Sequence, residues 1–173
     1  LPLGFKRSRS SFEWKRRLDK SNSQLIHLNF GFTGINPGFV SRFDDLAKLL
    51  PTDSGSVFQA SRVLASITGV CYSMDTPPSS LVSDVLNSGL PELGRLSDRE
   101  WVVTALRSND PIVWPTPSRS HRIRLLPLIL ASRGEHHEAL QWLSEFESSE
   151  GYIDQMVPNY RIFSEHFRSR FAV

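Results

Sequence analysis

The 173-residue chain is 39% hydrophobic and 22% charged with a net charge of +2. It is long enough to bury a core, and this make-up excludes collagen-like, disulfide-rich and largely disordered classes. Cys71 is the single cysteine, so an intramolecular disulfide and a cysteine-clustered zinc site are both excluded, and a reducing, cytoplasmic location is expected.

The charge is uneven. Residues 1–20 hold seven Lys or Arg against Glu13 and Asp19, which leaves the other 153 residues at net −3. Residues 135–154 hold six acids and no Lys or Arg. One end is basic and one later segment acidic.

In chain order, Phe5 to Arg9 reads as a short strand closed by a Ser10-Ser11 turn. Phe12 and Trp14 then alternate with Glu13 and Lys15, the two-residue period of a half-buried strand, which makes both aromatics core residues. Ile26, Leu28, Phe30 and Phe32 repeat that period with Leu25, His27 and Asn29 on the opposite face. Asp19 to Ser23 supplies the turn between the two strands. An antiparallel meander follows.

Thr33 to Gly38 is a loop by composition. Val40 to Leu50 places apolar residues at helical spacing and stops at Pro51, which favours a short helix. Val57 to Val70 is ambiguous and is assigned to a strand, a fourth partner for the sheet. From Thr76 the pattern is helical. Pro77-Pro78-Ser79 opens a helix that Gly89 and Pro91 close. Ser97-Asp98-Arg99-Glu100 reads as a capping box with Ser97 as N-cap. Ser108 to Pro117, with three prolines, is an ordered or semi-ordered connector rather than a helix.

Arg119 to Ser132 is apolar enough to be buried on most sides, with Pro127 inside it. Its longest apolar run, Leu125 to Ala131, falls far short of the ~20 residues a spanning helix needs, so no membrane partner is expected. Glu135 to Phe146 pairs with it as an αα-hairpin, and Tyr160, Phe163, Phe167 and Phe171 form a further apolar stripe. No repeat of 20 to 50 residues is evident. The fold expected is one α+β domain over residues 1–173. Its N-terminal antiparallel meander of three or four strands, mainly within 1–75, packs on helices, and 76–173 form a helical subdomain.

Gly4-Phe5-Lys6-Arg7, Phe12 with its basic neighbours and the strand Leu25 to Phe32 resemble the start of the bacterial "domain of unknown function 4304" family. Leu90-Pro91-Glu92-Leu93, Leu128 to Ala131, Gly134 and Glu138-Ala139-Leu140 are similar to its helical part. The chain departs from that family where a polar stretch is expected after the second strand, since Asn29-Phe30-Gly31-Phe32 stands there. The resemblance implies a fold and a bacterial origin, and no chemistry.

No residues read as catalytic, cofactor-binding or metal-binding. His136 and His137 are adjacent, so on a helix they point about 100° apart and cannot easily share an ion. Glu135 and Glu138 beside them suit a helix N-terminus, and Asp44-Asp45 reads as capping. Leu130 to Leu143 has the small and apolar spacing of half a tetratricopeptide unit, and a lone hairpin of that kind is ordinary packing. Cys71 has no basic partner close in sequence. An enzyme would need His27 or His121 to meet a carboxylate or Cys71 within hydrogen-bond reach.

The residues left for function are Arg7, Arg9, Lys15, Arg17 and His27, a partner-binding set on the basic hairpin. The function expected is non-catalytic protein binding, as in a toxin-neutralising immunity protein or an adaptor. Nucleic-acid binding is one alternative, which requires Arg7, Arg9, Lys15 and Arg17 on one continuous surface, and a small enzyme of unknown class is the other.

Overall fold

The computed structural model describes residues 3–8, 12–31, 34–49, 58–108, 110–116, 119–149 and 160–172. The strands are β1 (Lys6–Arg7), β2 (Glu13–Arg17), β3 (Asn22–Gly31), β4 (Gly34–Phe43) and β5 (Gln59–Val63). They form one antiparallel sheet in sequential order, five strands where three or four are expected, and the α+β class holds. The chain divides into two compact units, one of residues 1–42 and 60–117, the other of 43–59 and 118–173.

In the first unit, β2 pairs with β3 through Trp14↔Ile26 and Lys15↔Leu25, and with β1 through Lys6↔Lys15 and Arg7↔Trp14. The turn between β2 and β3 is set by Asp19, whose carboxylate accepts from the Ser21 N–H at 2.6 Å, the Asn22 N–H at 2.8 Å and the Asn22 amide at 2.9 Å. These bonds, the Asn22 side chain first, hold the Asp19 carboxyl below its usual range.

Several local expectations are corrected. The proposed loop at Thr33 to Gly38 is strand from Gly34 onward and includes Pro37 and Gly38, with Thr33 outside the described residues. The context is tertiary: the His27 imidazole lies over Gly38, where a Cβ would overlap its Cε1 and Nε2 atoms, so a larger residue there would displace the ring. Val40 to Phe43 continues that strand instead of starting a helix, and a 3₁₀ turn follows at Leu46–Leu49. Of the segment assigned to a strand over 57–70, Val57 lies outside the described residues, Gln59–Val63 is strand, and Leu64–Thr68 is helix α1, closed by Gly69 at φ 73°.

Gly89 and Pro91 do not end a helix. Helix α2 (Pro78–Asp84) passes through a π turn, Val85–Gly89, into α3 (Leu90–Ser97). The Leu90 N–H reaches back five residues to the Val85 carbonyl, and Pro91 falls in the first turn of α3, where its missing N–H is tolerated. Gly89 packs under the Phe39 ring with no room for a Cβ. Ser97 is not the N-cap of α4 (Arg99–Arg107). Asp98 is, its Oδ1 accepting from Glu100 N at 3.0 Å and Trp101 N at 3.4 Å.

Ser97 instead closes α3 as a polar hub against the sheet. Its Oγ accepts from Gln24 Nε2 at 2.7 Å and Ser41 Oγ at 3.0 Å and donates to the Leu93 carbonyl at 2.9 Å. The connector after α4 is ordered by the Trp114 indole, which donates to the Ser108 carbonyl at 2.7 Å.

In the second unit, α5 (Arg119–Ser132) is buried from Ile123 to Ala131, as its sequence demands. Gly134 at φ 83° ends it. The Gly134 N–H bonds the Ala131 carbonyl and the Glu135 N–H bonds the Leu130 carbonyl, both at 3.0 Å, a Schellman close. Helix α6 (His136–Ser149) completes the hairpin. In α7 (Tyr160–Phe171) the expected stripe is buried, and Phe146, Tyr160, Phe163, Phe167, Phe171 and His136 form a continuous run of ring contacts at 4.7–5.9 Å.

Candidate functional site

The pairing register decides which basic side chains share a face. Lys6 lies opposite Lys15, Lys15 opposite Leu25, Arg17 opposite Ser23 and Glu13 opposite His27, so Lys6, Lys15, Arg17 and His27 occupy one face of the meander. Arg7 is paired with Trp14 and belongs to the other face. Arg9 lies outside the described residues. The described members of the predicted set are therefore divided, with Lys15, Arg17 and His27 together and Arg7 apart.

Their surroundings differ as well. Arg17 donates to the Asp19 carbonyl at 2.8 Å and the Lys20 carbonyl at 3.1 Å, which secures the hairpin turn. Arg16, on the face with Trp14, grips Gln24 Oε1 at 2.6 and 3.1 Å and the Leu3 carbonyl at 2.9 Å and covers the Phe5 ring at 4.6 Å. Lys6 and Lys15 are exposed and make no ion pair among the described residues. Two lysines directly opposite across strands repel.

His27 is half-buried, and desolvation pushes its pKa down against the pull of Glu13 across the strand pair. His121 is lowered by desolvation and by Arg124. Neither imidazole is hydrogen-bonded among the described residues, and no group of three metal-ligating side chains comes together among them. No helix of the described residues is long and apolar enough to cross a membrane.

Sequence reasoning placed Phe12 and Trp14 in the core, and that is corrected. Trp14 is half-buried and Phe12 is 53% exposed. The row facing the helices runs from Gln24 and Ile26, buried under α3, to Phe30, which is 50% exposed. The alternation names the right face, but that face extends past the helix that covers it. Phe12 and Phe30 meet edge to face at this uncovered end, ring centroids 4.9 Å apart, with the Arg7 guanidinium 6.0 Å from the Phe12 centroid.

Beside Phe30 is a cleft of about 340 Å³, lined chiefly by Asn29, Phe30, Ile35, Asn36, Cys71 and Tyr72. Its floor is fixed by backbone. The Ile35 N–H donates to the Tyr72 carbonyl at 2.8 Å, and Gly34 at φ 141° passes so close to that carbonyl that a Cβ would collide with it. The Tyr72 hydroxyl is held by Asp84 at 3.1 Å and Thr68 at 3.0 Å. No sequence signal points to this site: Phe30 reads there as one of the alternating apolar residues of a half-buried strand.

The chain matches no family model, no curated protein and no solved structure.

Proposed function

We propose that the protein acts without catalysis by binding an acidic, apolar-bearing segment of another protein at the open end of its meander. The observation that carries this reading is the Phe12–Phe30 pair, two aromatic rings in contact and about half exposed, capped by Arg7. Single exposed aromatics are ordinary, but a contiguous aromatic and arginine cluster has the composition of an interface hot spot.

Charge supports the same partner. Arg7 is exposed on the same face as the aromatic pair. A negatively charged segment laid over the two rings would meet its guanidinium and would be steered there by the basic N-terminal region. An immunity protein and an adaptor would both use such a surface.

The test is a titration with blocked synthetic peptides of equal apolar content, one rich in Glu and one rich in Lys, at physiological salt. The acidic peptide should bind about tenfold tighter or better, a difference of ~1.4 kcal/mol. Arg7→Glu should abolish that preference without lowering the melting temperature, because the side chain is exposed. Equal binding of the two peptides by the wild-type protein would sink the proposal.

A further inference from the structure

We infer that the cleft beside Phe30 is the socket for one large, uncharged side chain of that segment, a tryptophan in the first instance. The inference rests on the protein-binding reading and adds what the partner must carry. Three features lead to it. The cleft is compact, about 340 Å³, near the lower end of the ~300–1,000 Å³ typical of ligand sites, so it suits a single group rather than an extended cofactor.

Its walls carry no charge. Phe30, Ile35, Ala65 and Tyr72 supply apolar surface, and Asn29 and Asn36 supply amides, a lining that favours a flat apolar ring with at most a hydrogen-bonding edge. An acidic side chain would be desolvated there without a partner, so the acids of the segment belong outside the cleft, toward Arg7.

The socket is also preformed. Tyr72 is 3% exposed and fixed at its hydroxyl and its carbonyl, so little ordering remains to be done on binding. Phe30 is at once a wall of the socket and a member of the exposed pair, which makes the two one continuous surface.

Cys71 lines the cleft, is exposed and is the only thiol of the chain, so it reports on occupancy in the unmodified protein. Three acidic peptides that differ only in a central Trp, Leu or Ala are titrated, and the rate of Cys71 alkylation by N-ethylmaleimide is followed at saturation. The Trp peptide should bind about tenfold tighter than the Ala peptide, ~1.4 kcal/mol, and slow alkylation about fivefold or more, while the Ala peptide leaves the rate near that of the free protein.

Ala65→Phe, which fills the cleft, should remove the Trp advantage while the preference for acidic over basic peptides persists. Alkylation of the wild-type protein gives the answer even where that variant fails to fold. Acidic peptides that bind alike whatever their central residue, with Cys71 unprotected, would overturn the socket and leave the protein-binding reading standing. No preference for acidic peptides at all would remove both.

Discussion

The Arg62 guanidinium lies 2.8 Å from the Glu92 carboxylate, whose side chain is 3% exposed, and this ion pair ties β5 to the first turn of α3. Arg95 adds a longer contact at 3.5 Å from the surface side. Burial of a charge is tolerated only while it is paired, so the two residues act as a unit.

Removing one partner should therefore cost more than removing both. Glu92→Leu leaves Arg62 without its carboxylate and should destabilise by about 3–5 kcal/mol, while Glu92→Leu with Arg62→Met should recover a large part of that loss. Urea denaturation of the two variants and the wild type checks the order. A double variant no more stable than Glu92→Leu would mean that Arg62 tolerates solitude.

At the start of α4 the contrast between neighbours is the useful one. Asp98→Ala removes an N-cap and should cost about 0.5–2 kcal/mol. Ser97→Ala leaves the cap intact but takes the acceptor from Gln24 and Ser41, both buried, and each unsatisfied donor costs about 1–3 kcal/mol. Ser97→Ala should thus be the more damaging change, measured by thermal melting. The opposite order would restore Ser97 as the cap.

The contrast also marks what the sequence could convey. The hairpin of β2 and β3 was legible because a period of two and the Asp19 turn agree, and the C-terminal stripe because Tyr160, Phe163, Phe167 and Phe171 recur at helical spacing. Strand β4 was not, because Pro37 and Gly38 punctuate locally while what packs over Gly38, the His27 ring, lies on another strand. The capping signal was one residue out, since Ser97 and Asp98 are both good caps by type and only tertiary contacts draw Ser97 to the sheet. Phe12 failed for a further reason. Alternation assigns a face to a side chain but cannot say how far along that face the covering helix reaches.

The two lowered histidines give the protein a defined response to acid. Desolvation is the chief cause for both His27 and His121, so each binds a proton more readily in the unfolded chain than in the folded one. Stability should then fall as pH drops below the unfolded value of about 6.5, and level off below the folded values. His27→Gln should flatten part of that fall. Melting temperatures between pH 7.5 and 5 test this, and a His27→Gln protein with the wild-type slope would show that His27 protonates without penalty.

Binding to nucleic acid should be weak and only mildly salt-dependent. Arg7 lies on the opposite face from Lys15, Arg17 is bonded to its own turn, and Lys6 with Lys15 are the cations of that face without an ion pair among the described residues. Two phosphate contacts correspond to a slope of log K against log salt near −2, whereas a dedicated binder with six to ten contacts falls far more steeply. Titration against duplex and single-stranded oligonucleotides at several salt concentrations should give dissociation constants no tighter than ~10⁻⁶ M at physiological salt, within the non-specific range. A much tighter constant that is lost on Lys15→Glu with Arg17→Glu would make nucleic acid the partner of the basic hairpin.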